Sequence, residues 1–371
     1  MPGDFYMILR DYQIQTVRDF EDAIQSHSRI VISYPTGGGK TALAVHGILP
    51  LLKHPVAWVT HRRELAHQIK EFGTSMDVVM SQSPSGGKYK SIIIDEAHHS
   101  CADQYMRIIN NNSKSMIVAL TATPYRMDGR GLGECGFTKI IHGPDIFELT
   151  SLGYLCPATV LVPVSELNKS WTNEEVAARV AKTKFNKAIV YCRSVTDSVA
   201  VAKILSCSGI KAESVSSDTC GRRRESHVKR FKRGGLRVIC NHTIFTEGND
   251  IPTVDAIVLN RFTESRCLWR QMTGRGLRAT VGKHGCTILD LAGNGVFHGS
   301  IYDEEVFDLS GRVETTNPRE APSEWEKQTN EYKYNEGEEL KEWKPKLRPK
   351  ILIENLQKLR SQSSLLRLLI G

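Results

Sequence analysis

No apolar run in the 371 residues reaches the ~18 needed to cross a bilayer, so no membrane partner is expected. No C-x-x-C pair occurs among the nine scattered cysteines, which argues against a zinc ribbon. The first ten residues, MPGDFYMILR, lack the basic-then-apolar order of a secretory leader. The expectation is a cytoplasmic protein whose dispersed cysteines stay reduced. There is no low-complexity tract, and no repeat beyond a duplicated α/β pattern. Charge of one sign is not in large excess: 49 Lys and Arg stand against 41 Asp and Glu, for a net +8. That balance fits a polyanion partner without proving one.

What is present is alternation. Short, β-branched, unalternating runs at Arg29–Ser33, Val56–Thr60, Ser91–Ile94 and Met116–Leu120 read as strands buried on both faces of a parallel sheet. Helical stretches such as Arg62–Phe72 and Ala102–Asn110 separate them. A second series follows at Lys187–Cys192, Ala212–Ser216, Arg237–Cys240, Ala256–Leu259 and Cys286–Leu289, with helices at Val195–Ser206, Arg222–Phe231 and Arg266–Leu277. Two βαβ series in one chain predict two open α/β domains. The boundary is placed near Pro157–Asn173, a stretch of mixed character with no strong element. Beyond about Ser310 the chain turns polar, and Ile351–Leu369 has a helical period of leucines among basic residues. That tail packs its leucines on the second domain or binds a partner or a duplex.

The chemistry concentrates in two places. Tyr34-Pro35-Thr36-Gly37-Gly38-Gly39-Lys40-Thr41 follows a strand and opens a helix, the context of a phosphate loop. Glycines let successive N–H groups turn toward one anion, and the helix N-terminus adds attraction. Lys40 is placed on the β- and γ-phosphates of a nucleoside triphosphate, and the Thr41 hydroxyl on Mg2+. Tyr34 stands where a small residue is usual. Asp95-Glu96-Ala97-His98 ends a strand, where a carboxylate faces the crevice in which ligands bind. Asp95 is the second magnesium ligand, through water. Glu96 is the base that orients and deprotonates the attacking water. His98 is given a coupling or packing role.

GGGKT and DEAH in this order resemble the superfamily 2 helicases of DEAD/DEAH-box type. More of that signature follows: LRDYQ at Leu9–Gln13, VTHRREL at Val59–Leu65, LTATP at Leu120–Pro124, TEGNDIP at Thr246–Pro252 and QMTGRGLR at Gln271–Arg278. The wording of the last two is similar to bacterial and phage helicases of the DNA-repair and type III restriction branch, which places the protein in a bacterial or phage-infected cell. The resemblance implies two tandem RecA-like P-loop domains with parallel sheets, at 1–160 and 161–310, and a partly helical C-terminal extension at 311–371. It implies ATP as cofactor, with Arg10 and Gln13 near the base and Pro35, Thr36, Gly37, Gly38, Gly39, Lys40 and Thr41 around the phosphates. From the second domain it implies Gly248 and Asp250 on the ribose and phosphate side, and Gln271, Arg275 and Arg278 at the γ-phosphate. Spaced by three, Arg275 and Arg278 are expected on one helical face.

The resemblance further implies a nucleic-acid strand gripped by Thr60, His61, Arg62 and Arg63 on one domain and by Arg193 and Ser194 on the other. Thr121 and Thr123, with His98, couple hydrolysis to motion. DNA is favoured over RNA because this branch usually acts on DNA. The stretch from Gln68 to Ser91 is short and leaves out a peripheral strand, with Met80–Ser83 standing in for a strand contact. The basic run Gly221–Arg233 is open between a solvated charged face and a phosphate track. Besides an ATP-dependent helicase or translocase, three alternatives remain: an ATP-switched binding or remodelling protein, the motor subunit of a restriction-type complex, and an RNA helicase.

Overall fold

The computed structural model describes residues 9–61, 63–72, 74–82, 87–99, 102–125, 130–163, 170–242, 254–317 and 341–342. It divides into two compact units. The first is Met1–Leu155 joined by Glu305–Thr316. The second is drawn mainly from Cys156–Phe245 and Ile251–Glu304.

In the first unit the order is α1 (Asp11–Ala23), β1 (Arg29–Ser33), α2 (Lys40–Leu43), β2 (Val56–Thr60), α3 (Arg63–Glu71), β3 (Asp77–Met80), β4 (Ser91–Asp95), α4 (Asp103–Asn111), β5 (Met116–Thr121), β6 (Lys139–His142) and α5 (Ile146–Ser151). The six strands form one parallel sheet in the order β3-β2-β4-β5-β1-β6. Alternate residues of one strand feed opposite cores. Ile30 and Ile32 pack with Phe20, Leu43 and Trp58, whereas Val31 packs with Ile92, Ile94 and Ile109. Helices therefore cover both faces, and the strands read as unbroken apolar runs. All strands being parallel, the ends of β1, β2, β4 and β5 emerge along one edge. The register fixes Ser33 beside Thr121 and Asp95 beside Leu120.

The second unit runs β7 (Ala158–Val162), α6 (Asn173–Lys182), β8 (Ala188–Tyr191), α7 (Val195–Cys207), β9 (Ala212–Val215), α8 (Gly221–Lys232), β10 (Val238–Asn241), β11 (Ala256–Leu259), α9 (Arg266–Gly274), β12 (Cys286–Asp290) and α10 (Asn294–His298). Its parallel strands lie in the order β7-β12-β11-β8-β10-β9. A two-residue strand, β15 (Lys341–Glu342), adds antiparallel to β7. Between them in sequence, β13 (Glu304–Phe307) and β14 (Val313–Asn317) form a two-stranded ribbon. Its turn belongs to the first unit and packs within it: Gly133 N–H donates to the Leu309 carbonyl at 2.8 Å, and the Phe307 ring stacks over His142.

Four expectations change. The stretch at Pro157–Asn173 contains a full strand, β7, paired with β12. The short stretch after Gln68 still holds a peripheral strand, β3, paired with β2. Arg275 and Arg278 do not share a helical face, because α9 ends at Gly274 with Arg275 as its cap. The cysteines are not all reduced: Cys135 is disulfide-bonded, while the seven described in the second unit are free thiols. The tail Ile351–Leu369 lies outside the described residues. No helix among them is long and apolar enough to cross a membrane.

Candidate functional site

The loop after β1 turns through two glycines in the left-handed region before it enters α2. Gly37 and Gly39 sit at φ +88° and +85°, where a side chain is strained, and Gly39 caps α2. From Lys40 the chain stays helical to Leu51, passing from α through a π turn at Ala44–Ile48 to a 3-10 turn. Lys40 Nζ donates to the Tyr34 carbonyl at 3.2 Å, so the ammonium is folded over the loop. Tyr34 itself is fully buried beneath it. Its hydroxyl lies 2.6 Å from Thr16 Oγ1, and burial pushes that hydroxyl up to about 12. Room for the ring comes from Gly143, where a Cβ would fall 2.3 Å from it. The departure from a small residue is thus accommodated by glycines, with the ring packed against Gly143 and Gly38.

Residues of α1 clamp the loop. Gln13 Nε2 donates to the Gly39 carbonyl at 3.1 Å and its Oε1 accepts from Arg10 N–H at 3.0 Å. Tyr12 donates to the Gly38 carbonyl at 3.1 Å and accepts from Arg10 at 2.9 Å. The Arg10 guanidinium lies 4.2 Å over the Tyr154 ring, a cation–π contact. Tyr12 and Tyr154 were not singled out from sequence. Tyr12 sits inside the LRDYQ segment, but Tyr154 is distant in the chain and nothing local marks it.

At the same edge, β4 delivers Asp95 and Glu96. Asp95 is 5% exposed and accepts the Glu96 N–H at 2.9 Å. Burial, with Glu96 beside it, pushes the Asp95 carboxyl up to about 7, against the pull of the Lys40 ammonium. Glu96 has φ +50°, uncommon for a residue with a side chain, and such outliers cluster at working sites. His98 is buried, with Nδ1 3.6 Å from Glu96 Oε2. From β5, Thr121 Oγ1 donates to the Thr123 carbonyl at 2.8 Å, and the Thr121 carbonyl accepts the Tyr34 N–H at 2.9 Å. The coupling candidates are thereby joined to both the carboxylates and the phosphate loop.

Thr41 and Asp95, the residues expected to hold magnesium, carry the hard oxygens that such a cation takes. No group of three or more His, Cys, Asp or Glu that could hold a metal ion is assembled among the described residues.

The strand candidates are tied in less uniformly. Thr60 is buried, and its carbonyl accepts the Ser81 N–H at 2.9 Å; the His61 carbonyl accepts from Gln82 at 2.7 Å. The Ser81–Gln82 segment therefore lies alongside the Thr60–His61 end. Arg62 lies outside the described residues, and of Arg63 only its place at the start of α3 is described. In the second unit, Ser194 caps α7 by accepting the Asp197 N–H at 3.0 Å, and Arg193 reaches Ser170 and Asp197. Gln271 and Arg275 are buried, and Arg275 is near enough to Tyr191 to act on its hydroxyl. Arg278 follows the helix end. Gly248 and Asp250 lie outside the described residues.

Two family models match this chain: "Type III restriction enzyme, res subunit" over 6–78 and 71–126, and "Helicase conserved C-terminal domain" over 171–280. The chain belongs to the superfamily 2 helicases, related to the type III restriction branch. A Saccharomyces cerevisiae protein named as an ATP-dependent helicase, IRC3, is 30% identical to this helicase-family chain over 356 residues, covering 77% of it and 52% of the relative. A Schizosaccharomyces pombe protein named as a mitochondrial ATP-dependent helicase, irc3, is 28% identical over 349 residues, covering 77% and 57%. The chain therefore spans about half the length of these relatives. Among solved structures, a fragment named as an HsdR subunit of a type I restriction enzyme from Vibrio vulnificus YJ016 superposes at TM-score 0.65 and 20% identity, covering 82% of this chain and 70% of that one. Mycobacterium smegmatis helicase Lhr, bound to ssDNA and AMP-PNP, superposes at 0.55 and 17%, covering 81% and 48%. At these identities the likeness concerns the fold, which agrees with tandem RecA-like units.

Proposed function

We propose that this protein hydrolyses ATP to move along or unwind nucleic acid, with DNA as the favoured substrate. The observation that carries the reading is the gathering of Lys40, Asp95 and Glu96 at one edge of a parallel sheet, with Glu96 in a strained backbone. The loop N–H groups and Lys40 hold the phosphates. Thr41 and Asp95 would hold magnesium, which would neutralise phosphate charge. Glu96 orients the attacking water and takes its proton. Gln13, Tyr12 and Arg10 hold the loop in shape and face the base. Arg275 and Arg278 supply positive charge to the γ-phosphate as it leaves. His98, Thr121 and Thr123 transmit the change to the strand held by Thr60, His61, Arg62 and Arg63, and by Arg193 and Ser194.

DNA is favoured because the restriction-type family model matches and Lhr was solved with ssDNA. That same family match supports a second reading, the motor component of a restriction-type assembly. The test is the ATPase rate across single-stranded DNA, duplex, forked DNA and RNA. Stimulation strongest with a DNA form is expected. A rate indifferent to every nucleic acid overturns the proposal. Stimulation confined to RNA overturns the choice of DNA.

A further inference from the structure

The first turn of helix α8 is electrostatically unfavourable. Arg222, Arg223 and Arg224 fill its first turn, at the positive end of the helix dipole, with no acidic residue there and no side-chain cap from Cys220. Some of its cations are occupied. Arg224 reaches the carbonyls of Ser216, Ser217 and Thr219, Arg223 bonds His227, and Arg230 bonds Glu213 at 3.1 Å. Arg222, Lys229 and Arg233 have no side-chain hydrogen bond or ion pair among the described residues. They are spaced by seven and four, so they fall on one face over about 16 Å of helix axis. All three are exposed, and they line one groove of about 300 Å³ with Glu225, Ser226 and Arg230.

Topology gives this groove a direction. α8 connects two parallel neighbours, β9 and β10, so it runs back against them. Its N-terminus lies at the edge where β8 ends in Arg193 and Ser194, and Arg233 lies toward the opposite edge. We propose that the groove is a second phosphate track, holding the sugar–phosphate backbone of nucleic acid that continues beyond the strand held at the sheet edge. This deepens the proposed function and rests on it for the identity of the polyanion. Charge complementarity selects that occupant, because three unpaired cations repelling one another along a helix gain from a partner with regularly spaced anions. Few aromatics interleave them, so the track reads backbone and not bases.

The test is salt-dependent binding of the full chain to a fluorescent 30-nucleotide single strand and to an 8-nucleotide one, with the variant R222Q/K229Q/R233Q beside the native protein. Removing three phosphate contacts should lower the slope of log affinity against log salt by about 2 on the long strand. It should leave the short strand and the unstimulated ATPase unchanged. The variant should melt within a few degrees of the native protein, since relief of repulsion among the three cations is offset by loss of the favourable charges of Lys229 and Arg233 at the helix C-terminus. Lys229→Gln alone should lower the slope by about 0.7. An unchanged slope on the long strand overturns the proposal, and would mark the groove as a solvated face or a protein-docking one. Equal losses on both strands overturn it too, by merging the groove with the main grip. A lowered slope in a protein whose ATPase ignores nucleic acid would leave the groove standing and remove the motor reading.

Discussion

The side-chain amide of Gln13 donates to the carbonyl of Gly39 at 3.1 Å, so the residue expected to face the base also holds the residue that caps the phosphate-loop helix. Gln13→Ala removes that bond and leaves the Arg10 N–H partner missing as well. At ~1 kcal/mol for a neutral hydrogen bond, ATP affinity should fall by roughly three- to tenfold. Isothermal titration with a non-hydrolysable ATP analogue measures it; an unchanged affinity would show that the bond does not shape the loop.

Tyr34 and Gly143 fit each other. A methyl group at Gly143 would overlap the buried ring, so Gly143→Ala should destabilise the first unit by about 1–3 kcal/mol. Combining it with Tyr34→Ala should recover part of the loss, because the new methyl group then has space. Thermal melting of the two single variants and the double checks the coupling.

Several buried acids of the second unit resist ionisation. Burial raises the Cys286 thiol from 9.0 to about 12, and Cys156 and Cys240 are also raised, Cys240 chiefly by its hydrogen bond with Cys192. Each folded-state value lies above the unfolded one, so the stability involved is complete below about pH 9. It is lost as pH rises and only the unfolded thiols ionise. Between pH 9 and pH 12 Cys286 alone should cost up to about 1.4 kcal/mol per pH unit. Urea midpoints across that range should fall less steeply in Cys286→Ala, which removes the ionisation.

Much of this was legible from local pattern. Strands such as Val56–Thr60 and Ser91–Asp95 announce themselves because both faces are buried, and the Gly-Lys-Thr and Asp-Glu-Ala-His sites are contiguous in sequence. The four-residue edge strand Asp77–Met80 and the partly buried Ala158–Val162 offer neither a long apolar run nor a clean alternation, so local pattern does not mark them. The end of α9 is hard to place from sequence because the apolar period runs on to Leu277 through Gly274 and Gly276, whereas in the fold the helix stops at Gly274 and Thr273–Leu277 is closed by turn hydrogen bonds. The Arg10–Tyr154 contact joins chain segments that only tertiary packing brings together.

Arg275 is buried and Arg278 follows it outside the helix, so the two present different surroundings to a phosphate. If they act on the transition state, Arg275→Ala or Arg278→Ala should lower kcat by about 10³-fold with little change in ATP affinity. Steady-state kinetics beside nucleotide titration separates that outcome from a loss of binding. Two variants within twofold of native kcat would remove both from the reaction.

The most direct measurement is the turnover of Glu96→Gln at saturating ATP, magnesium and single-stranded DNA, with ATP affinity measured on the same preparation. Glu96 as the base predicts a loss of at least about 10²-fold in kcat with affinity nearly unchanged. Turnover within a few-fold of the native protein would contradict the account, since hydrolysis would then proceed without the carboxylate on which the chemistry is built.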